Sequence, residues 1–322
     1  MSTTRRDFIA SMSGAAAMAA APLPVFAQQK LAVVATTGMI ADAARQVGGD
    51  LVEVRALMGA GVDPHSYRQT RSDIVAMIGA DLVLYHGLYL EAQMEAFLLD
   101  LSARKPVVAV GEAVERAQLL SSADYADRFD PHVWMDPALW SVVVDAVADA
   151  LAGALPDRAE VLRANAAAHK ADIARLDEYS RAVLDTVPQE ARVLLTAHDA
   201  FGYFGRAYGY EVVGIQGIST ESEAGLNRII ELVDMLVARR IGAVFVESSV
   251  SDRNIRALAE GAAAQGHEVR IGGQLYSDAM GEPGTYEGTW LGMIDHNVTT
   301  IAAALGGATP RGGMDGRLKA GL

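Results

Sequence analysis

Cysteine is absent from the 322 residues. That excludes disulfides, a thiolate metal site, a thiol nucleophile and a lipid-modified cysteine near the N-terminus. Basic charge is also short. Lys and Arg total 27 against 40 Asp and Glu, for a net charge of −13. A nucleic-acid partner needs a basic patch or stripe, so the balance argues against one. Familiar enzyme signatures are missing too: no His-Glu-x-x-His, no Gly-x-Ser-x-Gly elbow and no Gly-x-x-x-x-Gly-Lys loop occurs. Apolar material is plentiful. Hydrophobic residues make up 51% of the chain, enough for a real core in a length that suits two domains.

Residues 1–27 read as a targeting segment. Thr4-Arg5-Arg6-Asp7-Phe8-Ile9 resembles the twin-arginine export motif. An alanine-rich run over 9–23 follows, and Val25-Phe26-Ala27 has the form of a cleavage site. The run is shorter than the ~20 apolar residues a membrane span needs. A periplasmic destination is expected.

From 28 onward the pattern alternates strand and helix. Strands are expected at 31–37, 51–57, 81–85 and 107–110, with helices at 39–47, 72–78 and 90–102. Such alternation predicts an α/β domain with a mainly parallel sheet. A polar loop over 112–129 leads to a helix at 137–155. Pro156 then opens a longer helix, 157–187, closed by Pro188. The apolar stripe of that helix runs Leu162, Ala166, His169, Ile173, Leu176, Val183, Val187. At 1.5 Å per residue it reaches roughly 45 Å, long enough to brace two lobes. After Pro188 the order of elements restarts, ending in a helix over 291–305. The expected organisation is therefore an N-terminal α/β lobe (28–156), a long rigid connecting helix (157–187), a similar C-terminal α/β lobe (188–305) and a flexible Gly-rich tail (306–322).

Two histidines follow Asp-Pro: His65 in Asp63-Pro64-His65 and His132 in Asp130-Pro131-His132. Proline fixes its own φ and holds the preceding residue extended, so each histidine leaves a stiff backbone. One Asp-Pro-His is an ordinary turn; two suggest preorganised ligands. His198 and Asp278 each follow a strand of the second half, where ligands bind in α/β sheets. Three imidazoles and one carboxylate suit a borderline divalent metal, in a cleft between the lobes. His86 ends a strand and could approach that cleft. His169, His267 and His296 read as structural. Asp136 and Asp199, adjacent to proposed ligands, are candidates to hold a ring N–H. Glu247 ends a buried strand and is expected to pair with a backbone donor or a lobe neighbour.

Five segments carry a family resemblance: Val62-Asp63-Pro64-His65-Ser66-Tyr67, Asp130-Pro131-His132-Val133-Trp134-Met135-Asp136-Pro137, Ala197-His198-Asp199-Ala200-Phe201-Gly202-Tyr203, Val246-Glu247-Ser248-Ser249 and Leu275-Tyr276-Ser277-Asp278-Ala279-Met280-Gly281. From about 30 to 305 the chain resembles the TroA-like zinc- and manganese-binding solute receptors of bacterial ABC importers. The resemblance implies two α/β lobes joined by one long helix and a modest closing motion. It implies metal ligation by His65, His132, His198 and Asp278, and a membrane permease as partner. Two departures bear on the metal. Zinc members often carry a His-rich loop, yet 113–131 contains no histidine. Manganese members usually carry Glu where this chain has His198. His86 stands where the family commonly has asparagine.

These features lead to an expected function: a monomeric periplasmic receptor carrying Zn2+ or Mn2+, zinc favoured, with no catalytic role. The alternatives are a zinc hydrolase using the same ligands with a water, and a surface interaction protein with a structural metal.

Overall fold

The computed structural model of the chain describes residues 30–121 and 128–319. The expected export segment lies outside the described residues, as do 122–127 of the expected polar loop and the last three residues of the tail. The first sheet is parallel, ordered β2-β1-β3-β4, from β1 (Leu31–Ala35), β2 (Val52–Ala56), β3 (Leu82–Tyr85) and β4 (Val107–Ala109). Parallel neighbours need crossovers. They are supplied by α1 (Gly38–Gly48), α2 (Arg71–Gly79) and α3 (Glu95–Ser102). β3 reads Leu-Val-Leu-Tyr because both its faces are covered.

α3 begins later than the sequence pattern implied. Ahead of it lies a left-handed turn, with φ of 79°, 53° and 68° at Gly87, Leu88 and Tyr89, and residues 90–94 continue as turn before the helix starts at Glu95. The buried Glu91 side chain holds this turn by accepting the His86 and Gly87 N–H groups.

The second half repeats the plan. β5 (Val193–Thr196) pairs in parallel with β6 (Glu211–Gly214), and β7 (Ala243–Glu247) with β8 (Arg270–Leu275). β5 lies against β7, so the spatial order β6-β5-β7-β8 mirrors the first sheet. In chain order, the helices of the remainder are α4 (Pro137–Ala154), α5 (Ala159–Leu184), α6 (Gly202–Tyr208), α7 (Leu226–Arg239), α8 (Arg253–Ala264) and α9 (Trp290–Ala304).

α5 is the long helix. Its 26 residues span about 39 Å, slightly less than expected because Pro156 opens a separate 3₁₀ turn at Pro156–Arg158. Leu162, Ala166, His169, Ile173, Leu176 and Val183 form its buried stripe, against α1, α4 and α9. One apolar cluster runs through it from Val33 and Leu84 of the first lobe to Leu194, Phe245 and Leu275 of the second. The lobes therefore share a core. Opening them wide would expose apolar surface at about 25 cal/mol per Å², so only small relative motions are cheap.

Most of 306–319 is exposed, but the tail is pinned at a few points. The Met314 N–H donates to Asp295 Oδ2 at 3.0 Å, Lys319 N–H donates to Glu287 Oε1 at 3.3 Å, and Leu318 is buried. Glycine makes this wrap possible. Gly313 has φ +78°, and a Cβ there would lie 2.5 Å from an Asp295 carboxylate oxygen.

Candidate metal centre

Each donor is set by a short-range device. In the loop after β2, Asp63 Oδ1 accepts the His65 N–H at 2.9 Å and Oδ2 accepts the Ser66 hydroxyl at 2.7 Å. In the second Asp-Pro-His, Asp130 Oδ1 accepts both the backbone N–H of His132 (2.9 Å) and its ring Nδ1–H (2.6 Å). His132 then enters a 3₁₀ turn, and the Trp134 indole donates across to Ser277 O at 2.9 Å. That bond ties the His132 turn to the loop of Asp278. His198 follows β5, and Glu247 at the end of β7 accepts its backbone N–H (2.9 Å) and its Nδ1–H (2.6 Å). Asp278 follows β8.

The structure brings His65, His132, His198 and Asp278 into one cluster, with exposures of 3%, 0%, 0% and 2%. Their donor atoms lie within 4.8 Å of one another. The Nε2 of His132 is 3.3 Å from that of His65 and 3.4 Å from that of His198. Asp278 offers Oδ1 to His132 Nε2 at 3.4 Å and Oδ2 to His198 Nε2 at 3.2 Å; Oδ2 is 4.0 Å from His65 Nε2. Neither Asp278 oxygen has a hydrogen bond of acceptable geometry despite that proximity. The atoms aim at a common point instead of at each other. A tetrahedral shell with bonds of about 2.05 Å has edges of about 3.3 Å; the His132–His65, His132–His198, His132–Asp278 and His198–Asp278 separations lie near that value, the last two on different Asp278 oxygens, and the 4.0 Å from His65 to Asp278 exceeds it.

Without an ion, the cluster balances itself by protonation. Burial alone would lower His132, but Asp130 and then Asp278 raise it to about 9. Burial likewise opposes a charged His198, yet Asp278 and Glu247 lift it well above its ordinary value. Burial would raise Asp278, and His198 and His132 beside it hold it well below the usual carboxylate range. For His65 burial wins, and its pKa falls to about 4.

Glu247 pairs with a backbone donor and a lobe neighbour as expected, both of them His198, whereas Asp136 and Asp199 do not hold the rings. Asp136 caps α4 through Ala138 N–H and pairs with Arg206, and Asp199 packs its backbone N–H on Gly217 O. Asp130 takes the role at His132 because a side chain two residues back folds onto the turn. Glu247 takes it at His198 because β7 runs beside β5. His86 stays outside the cluster. Its Nε2–H donates to Pro131 O at 2.7 Å, its ring meets Trp134 edge-on at 5.0 Å, and burial lowers its pKa to about 3. His267 and His296 donate to Ile241 O and Gln274 O, and His169 sits in the α5 stripe.

A cavity of about 40 Å³ borders His65 at the cleft mouth. Organic ligands usually occupy roughly 300–1,000 Å³. The space beside the donors suits an ion and a water.

Two α/β lobes on a shared core, with a buried nitrogen-rich donor set drawn from both, define a two-lobed receptor for a small ligand. The family model for the periplasmic component A of the zinc-uptake complex, ZnuA, matches residues 33–304, and the chain belongs to that family. It is 50% identical over 279 residues to the manganese-binding lipoprotein MntA of Bacillus subtilis, covering 87% of this chain and 91% of that one. It is 46% identical over 279 residues to the zinc-binding protein TroA of Treponema pallidum, covering 87% and 90%. The solved structure of the periplasmic zinc-binding TroA superposes with a TM-score of 0.84, over 86% of this chain and 99% of that one. The expected α/β fold with a long linking helix is that fold.

Proposed function

We propose that the chain is a periplasmic solute-binding protein of a metal ABC importer. It holds one divalent transition ion, zinc in preference to manganese, on His65, His132, His198 and Asp278, and hands it to a membrane permease. The observation that carries this reading is the convergence of four buried donors within 4.8 Å of one another, together with the two orphaned oxygens of Asp278. The names of the relatives, zinc-binding TroA and manganese-binding MntA, support the cargo class. Three imidazoles favour zinc within it. The lobes run over about 30–156 and 188–305 with α5 (Ala159–Leu184) as the brace, and the protein works as a monomer exported through the twin-arginine motif at Arg5-Arg6. A hydrolase needs room for substrate beside the metal, and the small cavity at His65 argues against that role.

Metal analysis of protein taken from the periplasm, followed by competition between zinc and manganese, tests the reading. One tightly held ion per chain, lost in His132→Ala, is expected. A protein that takes up neither ion, or that turns over ester or peptide substrates repeatedly when loaded, would sink it.

A further inference from the structure

The mouth of the donor cluster lies where loops from opposite lobes meet. Asp63 spends Oδ1 on the His65 N–H and Oδ2 on two hydroxyls: Ser66 of its own turn, and Thr220 at 2.7 Å. Thr220 stands in the loop between β6 and α7, in the other lobe, 157 positions along the chain. Its neighbour Glu221 accepts a second bond across the cleft, from the Gln93 amide. The cavity at His65 is walled on one side by Ile218, Ser219 and Glu221 of this loop, and on the other by Tyr89 and Phe129. His65 is the one member of the donor set that lines it, so the way out passes beneath 218–221.

We propose that Thr220 is a positioning residue that sets the rate of metal release. Its hydroxyl, donated across the cleft to Asp63, holds the 63–66 turn and through it the His65 ring. The inference rests on the metal-receptor reading above. Because the lobes share a core, opening is small and begins at contacts that only the closed form makes. The Thr220–Asp63 bond spans the two lobes and must break for them to part, whereas the Ser66 bond lies within one turn and is indifferent to closure. Thr220 is half-buried and is not part of the donor set. It acts on His65 only through Asp63, whose two oxygens couple the far lobe to the His65 backbone.

The test uses zinc(II) alone. Wild type, Thr220→Val and Thr220→Ser are loaded with zinc and mixed in stopped flow with excess chromophoric chelator. Valine keeps the branched shape and removes the donor. Release from Thr220→Val is expected to be about three- to thirtyfold faster, the range for losing one hydrogen bond to a carboxylate at a half-buried site. Thr220→Ser should restore the wild-type rate. The bond is made without an ion as well, so Thr220→Val should also lower the metal-free melting temperature by the amount of one hydrogen bond, and Thr220→Ser should restore it. An unchanged release rate in Thr220→Val overturns the proposal. So does an acceleration that serine fails to reverse, since packing would then explain it. Failure of the wild type itself to take up zinc or manganese is a different result and removes the receptor reading.

Discussion

Adding zinc to the metal-free protein at pH 7 should drive two protons off the site. His132, raised to about 9, and His198, raised well above its ordinary value, each hold a proton on Nε2 in the metal-free form. His65, lowered to about 4, does not, and Asp278 is ionised. A metal needs the Nε2 lone pairs of all three rings, while the Nδ1 protons of His132 and His198 stay on the rings, donated to Asp130 and Glu247. Removing a proton from a group of pKa about 9 at pH 7 costs about 3 kcal/mol, which the metal bonds must exceed at His132 alone. Apparent zinc affinity should therefore climb about a hundredfold per pH unit between about pH 5 and 7, and more steeply below about pH 4, where His65 also carries a proton. Calorimetric titration in buffers of different ionisation enthalpy counts the protons directly. Release of none, or a pH-independent affinity over that interval, refutes the charge arrangement and with it the placement of His132 and His198 in the shell.

Three further outcomes follow from the same geometry. The raised pKa of His132 stabilises the metal-free fold fully below about pH 6.5, its unfolded value, and that contribution fades as pH passes about 9. The melting temperature of metal-free protein should therefore drop between those limits, and a scanning-calorimetry series in which His132→Gln shows the same drop would assign it elsewhere. Glu247→Gln keeps shape and a hydrogen bond but loses the charge behind His198, so zinc affinity should fall about 10- to 100-fold, read by chelator competition; wild-type affinity in that variant would show that the carboxylate only orients the ring. His198→Glu replaces a nitrogen with a carboxylate, so it should lose more zinc than manganese affinity, and an unchanged zinc-to-manganese ratio by paired titrations would remove His198 from the donor set.

Parts of this site were legible in the chain and parts were not, for physical reasons. The two Asp-Pro-His turns are local devices, and His198 and Asp278 stand where α/β sheets offer ligands, so all four could be named from order and spacing. The backing carboxylates obey different rules. Asp130 could have been read from its position two residues before His132, where an aspartate reaches its own turn. Glu247 could be read as paired within its lobe but its partner could not be named, because the contact with His198 spans 49 positions and exists only through the lateral placement of β7 beside β5. Thr220 was invisible for the same reason. The pinning of the tail was missed because glycine was read as freedom, whereas Gly313 lets the backbone close over the buried Asp295. The left-handed turn ahead of α3 was hidden because residues such as Leu88 and Tyr89 rarely adopt positive φ, and the buried Glu91 that closes it does so through the His86 and Gly87 N–H groups.

The four donors are not held alike, and the difference bears on which ions fit. His132 and His198 are each gripped twice by one carboxylate, through the ring and through the backbone N–H. Neither ring can shift without straining two bonds to a buried acid. Asp278 is bound to its place by a loop that Trp134 ties to the His132 turn, and it faces the two gripped rings with one oxygen each. These three form a fixed base with separations of 3.2–3.4 Å, its two Asp278 contacts ending on different oxygens. Asp63 grips His65 through its backbone N–H, and the His65–Asp278 separation of 4.0 Å exceeds every edge of that base. An ion that favours more oxygen and a larger shell must enter by widening the site along that edge and by drawing both Asp278 oxygens onto itself. The same turn that must yield to admit such an ion is the one Thr220 holds from the opposite lobe. Accommodation of a second metal and escape of the first are thus properties of one loop, and the rigid helical brace leaves them there because it denies the lobes a wide hinge.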